Sequence, residues 1–168
     1  HLTNNSSSNL SGSRGNDFII GGNQNDVLSG DYWYSSAGGN DTIWGGAGDD
    51  DLSGQAGSDT YVFQVGHGKD IISSDKSNDL SNIIKFVDIK ESDILITRDG
   101  SSLVLNHVNG LDSITIKNYY TYDISTVVNT PFTFQYATSI VTTVNGTAVD
   151  DVLYGTYLAT AINSGNGN

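Results

Sequence analysis

The sequence predicts an all-β protein: a parallel β-roll built from nine-residue repeats, capped by an antiparallel β-meander flank. Two observations predict it. From Gly12 to Val62 the chain divides into GSRGNDFII, GGNQNDVLS, GDYWYSSAGGNDTIW, GGAGDDDLS and GQAGSDTYV, each opening on glycine and carrying an aspartate with a large apolar residue two places later. Further on, alternating apolar runs are joined by Asp99-Gly100 and Asn109-Gly110, dipeptides that favour tight hairpins between antiparallel strands.

Taken in order, the first eleven residues, HLTNNSSSNLS, are polar and of low complexity and read as a linker (1–11). The roll is expected over 12–73. Its aspartates are Asp17, Asp26, Asp41, Asp50 and Asp59, and the apolar partners are Ile19, Leu28, Ile43, Leu52 and Tyr61. One insertion, Tyr32 to Ala37, interrupts the period and loops out at little cost in chain entropy. A unit this short buries nothing alone, so copies must stack. The three residues after each aspartate predict a short strand whose middle side chain points inward. Successive strands then lie in parallel, turns alternate between two sides, and turns two repeats apart face each other. After Val62 the period loosens. Gly66 to Asp70 keeps a GxGxD turn and reads as the last one, closing the roll, with His67 as a solvent-exposed loop histidine.

The flank is expected over 74–145. Ile94 and Ile96, Leu103 and Leu105, and Ile114 and Ile116 mark three strands, with Tyr119 and Tyr120 behind them. Phe132, Phe134 and Tyr136 mark a fourth, Ile140 to Val144 a fifth, and Tyr122 to Asn129 a helical turn. Residues 146–168 read as the start of a following repeat block. Gly146, Asp151 and Leu153 fill first, aspartate and apolar places, and Gly165, Gly167 and Asn168 fill the places leading up to a further aspartate. The parent sequence is expected to supply that aspartate next.

The chemistry follows from residue types. Glycines at first, second and fourth places permit positive φ and sharp turns that point carbonyl oxygens inward, and the aspartate adds a charged oxygen. A flexible all-oxygen cage with carboxylate charge suits calcium and suits magnesium or zinc poorly. The expected side-chain ligands are Asp17, Asp26, Asp41, Asp50, Asp59 and Asp70. The turn residues Gly21, Asn23, Asn25, Gly39, Gly45, Gly46, Ala47, Gly48, Asp49 and Gly57 complete the cages, chiefly through main-chain carbonyls. About three to four ions are expected.

These blocks resemble the G-G-x-G-x-D-x-U-x nonapeptide of RTX (repeats-in-toxin) proteins. They depart from it at Gln24 in a fourth place, at Ser13, Asp31 and Gln55 in second places, and at the insertion. The segment Asp59 to Tyr120 resembles the flank that follows the repeats in haemolysin-like and adenylate-cyclase-like RTX proteins, through DTYVF, the GxGxD turn, DILITRDGSSLVL and DSITIKNYY. The resemblance implies a calcium-binding structural module of a large secreted bacterial exoprotein, toxin or adhesin, exported by type I secretion. It also implies neighbouring RTX blocks of the same parent as partners, and a flank that caps the roll and nucleates its folding.

Composition agrees. Nineteen acidic residues against seven basic give a net charge of −12, which argues against nucleic acid or anionic membrane and for cations. No run approaches a membrane span. Without cysteine, thiolate metal sites and disulfides are impossible. No GxSxG or HExxH occurs, and His107 alternates with Leu103 and Leu105 as a structural residue, so no enzyme is expected. The alternative function is a glycan- or receptor-binding module using Tyr32, Trp33 and Tyr34 of the insertion with Trp44, since exposed aromatics often mark recognition. Stacked aspartates repel by about 1 to 4 kcal/mol per close pair. An ion at about ten times its dissociation constant stabilises by roughly 1.4 kcal/mol per site. Three or four such sites approach the stability of a whole small domain, about 5 to 15 kcal/mol, so calcium is expected to switch the chain between disorder and fold.

Overall fold

The nine-residue period becomes a ladder of short strands. In the computed structural model, which describes residues 2–3, 7–32, 38–73, 81–120, 132–137, 139–146 and 162–164, the first nine strands are β1 (Leu2–Thr3), β2 (Asn9–Ser13), β3 (Phe18–Gly22), β4 (Val27–Asp31), β5 (Thr42–Gly46), β6 (Asp51–Ser53), β7 (Thr60–Phe63), β8 (Lys69–Ile72) and β9 (Asn82–Phe86). Odd strands stack in one sheet and even strands in the other, each pairing in parallel with the strand two along. The expectations about Trp33, Tyr34, the helical turn, Asp151, Leu153, Gly165, Gly167 and Asn168 lie outside the described residues.

The apolar place of each repeat sets the register. Ile19 pairs with Ile43, Ile43 with Tyr61 and Tyr61 with Ile84 in one sheet. Leu10, Leu28, Leu52, Ile72 and Ile116 run through the other. Apart from half-buried Leu10, these side chains are buried in a single core shared by both sheets. Fully burying one Ile or Leu is worth about 1.5 to 3 kcal/mol, so even short strands gain from stacking. Several strands are longer than the expected three residues. Phe18–Gly22, for example, takes in the first- and second-place glycines and turns Gly21 inward beside Ile19.

Two expectations are corrected at the ends of the roll. Residues 1–11 supply β1 and the start of β2, because Leu10 stacks on Leu28 and Ser8 bonds Asp26 through both its N–H and its hydroxyl. The turn ending at Asp70 does not close the roll. One more strand follows, β9, parallel to β7, with Asn82 standing where the next aspartate belongs. Its sequence signal was Asn82 followed two places later by Ile84.

The flank continues both sheets. A 3-10 turn at Glu91–Asp93 leads into β10 (Ile94–Asp99), β11 (Ser102–His107) and β12 (Ser113–Ile116), the expected antiparallel meander, and β12 joins β8 in parallel. β13 (Phe132–Tyr136) joins β9 in parallel and pairs antiparallel with β14 (Ser139–Gly146), which pairs with β15 (Ile162–Ser164). The flank therefore covers the C-terminal edge of each sheet, the edge an open roll would expose.

Candidate metal centre

Turns fall on two rims. One carries Asp17, Asp41 and Asp59 and ends at Asn82; the other carries Asp26, Asp50 and Asp70. Along each rim the aspartates are bonded in series: Oδ1 of Asp41 accepts from the N–H of Asp17 at 2.8 Å, Oδ1 of Asp59 from Asp41 at 2.9 Å, and the Asn82 side-chain carbonyl from Asp59 at 2.8 Å. The other rim repeats this, with Asp50 accepting from Asp26 and Asp70 from Asp50. Main-chain carbonyls run alongside, so that Asp41 accepts from Thr60 N–H and Asp50 from Ile71 N–H.

One oxygen each of Asp41, Asp50 and Asp59 is thereby fixed, as Ser8 fixes one of Asp26, and the other is not. Oδ2 of Asp17, Asp26, Asp41, Asp50 and Asp59 is buried with no donor. Each of these oxygens lies against the first-place glycine of its own repeat: Gly12, Gly21, Gly30, Gly45 and Gly54. A Cβ at Gly30 would collide with Oδ2 of Asp41 and the carbonyl of Gly54; at Gly21 it would meet Oδ2 of Asp26 and the carbonyl of Gly45. The expectation that first-place glycines serve positive φ is thus corrected. They are needed for the close approach of carboxylate and carbonyl oxygens. Positive φ belongs to second and fourth places, such as Gly46 at 102° and Gly57 at 131°. Gln24 takes no left-handed conformation, and its turn still forms.

At Asp41, Asp50 and Asp59 burial shows in the protonation of the carboxyl. Desolvation pushes Asp50 up to about 7 and Asp41 and Asp59 to about 6. Main-chain hydrogen bonds oppose the rise, and neighbouring carboxylates add to it. Buried acceptors without donors are costly, about 1 to 3 kcal/mol each and more when charged. A proton or a cation would relieve each one. Among the described residues no three Asp, Glu or His side chains converge closely enough to hold a metal by themselves. An ion here therefore needs the main-chain carbonyls, and carboxylate plus carbonyl oxygen is the donor set that calcium accepts.

The expected turn residues separate into groups. Gly21, Gly39, Gly45, Gly46, Gly48 and Gly57 pack backbone to backbone between successive turns, and Ala47 donates its N–H to the Gly22 carbonyl. Asn23, Asn25 and Asp49 are exposed. The side chains of Asn25 and Asp49 accept main-chain N–H groups from the next turn, from Asp49 and Lys69, and so form an outer lacing and not part of the buried row.

Asp70 departs from the pattern. Its Oδ2 lies 2.6 Å from Nδ1 of His67, which is 2% exposed and packs on Phe63 with ring centroids 5.0 Å apart. The expected exposed loop histidine is therefore a buried one that supplies the partner the other aspartates lack. The flank grips the same turn: Asp112 accepts from the N–H groups of Gly66 and Gly68. Burial raises the Asp112 pKa, but these bonds and one from Asn109 outweigh it and hold the carboxyl below its usual range. Asp31, Asn82 and Asp112 were not among the expected site residues. Only Asn82, through its spacing to Ile84, had a sequence signal. Of the aromatics considered for recognition, Tyr32 of the insertion is 63% exposed and Trp44 is half-buried on β5.

Residues 3–31 and 35–61 match the family of RTX calcium-binding nonapeptide repeats (4 copies). No curated protein sequence matches the chain. Among solved structures, the chain is similar to the AlgE6R3 subunit from the Azotobacter vinelandii mannuronan C5-epimerase, with 27% identity over 69% of this chain and 71% of that one and a TM-score of 0.42.

Proposed function

We propose that the chain, whose residues 3–31 and 35–61 match the RTX calcium-binding nonapeptide repeats, is a calcium-switched structural module of a larger secreted protein. The observation that carries this reading is the set of five repeat aspartates on the two rims, each with a buried carboxylate oxygen that has no donor and lies against the first-place glycine of its repeat. Calcium, when bound, supplies the positive charge these oxygens lack. Asp17, Asp41 and Asp59 would hold ions on one rim and Asp26 and Asp50 on the other, with carbonyls such as those of Gly30, Gly45 and Gly54 completing the cages.

Without the ion, repulsion and unpaired acceptors oppose the stacking of short strands. With extracellular calcium, sites with dissociation constants of about 0.1 to 1 mM fill and the roll orders. The flank has alternating apolar faces of its own and holds the last turn through Asp112, so it is expected to order first and template the roll. A chain that is disordered in low calcium and folds outside suits export through a narrow channel. On this reading the role of the repeat block is structural.

Circular dichroism of the chain titrated with calcium is the test. A cooperative gain of strand signal at about 0.1 to 1 mM is expected, reversed by chelator. Identical spectra in chelator and in calcium would reject the switch.

A further inference from the structure

We infer that Asp31, together with the main-chain carbonyl of Ala56, forms an additional calcium-binding position at the root of the Tyr32 to Ala37 insertion. The inference rests on the calcium reading of the rims and extends it to a residue outside the repeat's aspartate place. Asp31 stands at a second place. There Ser13 and Gln55 adopt left-handed φ of 87° and 67°, whereas Asp31 does not and instead ends β4. It is 1% exposed. Hydrogen bonds from the main chain of Gly39 and Ala56 hold the carboxylate, Gly39 N–H reaching Oδ2 at 3.2 Å, while Oδ1 is buried and accepts from no donor.

The surroundings repeat those of the aspartate-place sites. At Gly30 a Cβ would fall between Oδ2 of Asp41 and the carbonyl of Gly54. At Gly38 it would fall between Oδ2 of Asp31 and the carbonyl of Ala56. A glycine thus again brings a carboxylate close to a carbonyl from the next turn of the rim, with the difference that the oxygen beside Gly38 accepts from Gly39 N–H and it is the other oxygen, Oδ1, that has no donor. Asp17, Asp41 and Asp59 lie near enough for their charges and that of Asp31 to act on one another, so this rim gathers four carboxylates where the repeat supplies three. An oxygen-preferring divalent cation is the ligand that offsets this charge and takes carboxylate and carbonyl oxygens together. Bound there, it ties both ends of the insertion, Asp31 before it and Gly38 after it, to the turn that carries Asp59.

Equilibrium dialysis of the full chain against calcium, comparing wild type with Asp31→Asn and Gly38→Ala, tests this. Asparagine keeps an acceptor for Gly39 N–H, so a purely structural Asp31 predicts the same number of bound ions as wild type. The site predicts one ion fewer for both variants, or at least a tenfold loss of affinity at one site. If wild type itself binds no calcium, the reading of the rims fails. If wild type binds it and Asp31→Asn binds the same number equally well, only the Asp31 site fails. Should the variants not fold, a crystal structure of the wild type grown in calcium decides. An ion within about 2.6 Å of an Asp31 oxygen supports the site, and a filled rim with none there overturns it.

Discussion

The main-chain N–H of Asp41 donates to Oδ1 of Asp59 at 2.9 Å, and the carboxylate that accepts it keeps its other oxygen buried without a donor. The same carboxylate thus both aligns the preceding turn and carries an unmet demand for positive charge. At the next turn Asn82 performs the alignment alone, accepting from Asp59 N–H through its side-chain carbonyl while bearing no charge.

Asp59→Asn should separate the two roles. The asparagine retains the acceptor for Asp41, as Asn82 does for Asp59, and loses the charge. In chelator the variant is expected to be no less structured than wild type. In calcium at about ten times the dissociation constant it should lose roughly 1.4 kcal/mol of the stabilisation wild type gains, one site's worth. Urea unfolding with and without calcium measures this, and an equal calcium-dependent gain in both proteins would refute it.

Acid should act on the calcium-free roll in the opposite sense to the common one. Asp50 is raised to about 7 and Asp41 and Asp59 to about 6, above an unfolded value of about 3.9. The folded state therefore binds protons more tightly than the unfolded one, and the stability these groups add is present near pH 4 and lost as pH rises through 6 to 7. In chelator, strand signal is expected to increase as pH falls from about 7.5 to about 4.5. Calcium affinity should fall over the same range, because protons compete for the same oxygens. Below about pH 4 Asp112 works the other way, since its lowered pKa means its contribution disappears on protonation. A chelator titration that shows less structure at pH 5 than at pH 7.5 would contradict the first part.

Two glycines of positive φ should differ in cost. At Gly57, with φ 131°, a Cβ would also collide with the carbonyl of Gly39, so backbone must move. At Gly66, with φ 86°, a Cβ meets nothing within 4 Å. Gly66→Ala should cost about 1 to 2 kcal/mol, the conformational penalty alone. Gly57→Ala should cost at least twice that and disrupt the turn ending in Asp59. Similar unfolding midpoints for the two variants would show that close turn packing matters less than φ.

Much of this was legible in the sequence because stacking needs only a period. Spacing alone places Ile19, Leu28, Ile43, Leu52 and Tyr61 on inward faces, and Asp99-Gly100 and Asn109-Gly110 mark the hairpins. What spacing does not encode is which polar atoms remain unpaired after folding. The first-place glycines look alike whether they serve φ or close approach, and only the position of Oδ2 of Asp50 beside Gly45 separates the two. His67 reads as a loop residue because spacing does not show that its turn folds the ring inward against its near neighbours Asp70 and Phe63. Asp31 reads as a flaw in the repeat because its neighbour Ala56 is 25 residues away in the chain.

His67 should make the end of its rim independent of calcium. Oδ2 of Asp70 has an imidazole partner where the preceding aspartates of the rim, Asp26 and Asp50, have none, and the flank's Asp112 holds Gly66 and Gly68 on either side of that histidine. Strand β8 and its neighbour β12 can then pair without an ion at this turn. His67→Ala removes the partner and the packing on Phe63, leaving a buried carboxylate oxygen like the others, at an expected cost of about 1 to 3 kcal/mol in chelator. Hydrogen exchange reads the effect locally. The amides of Ile71 and Ser113, which bond Asp50 and Gly68 across this junction, should lose protection in chelator in the variant and keep it in wild type. Added calcium should restore more protection in the variant than in wild type, since Asp70 now offers a free oxygen. Equal protection of these amides in both proteins in chelator would mean that the flank, and not His67, holds the last turn.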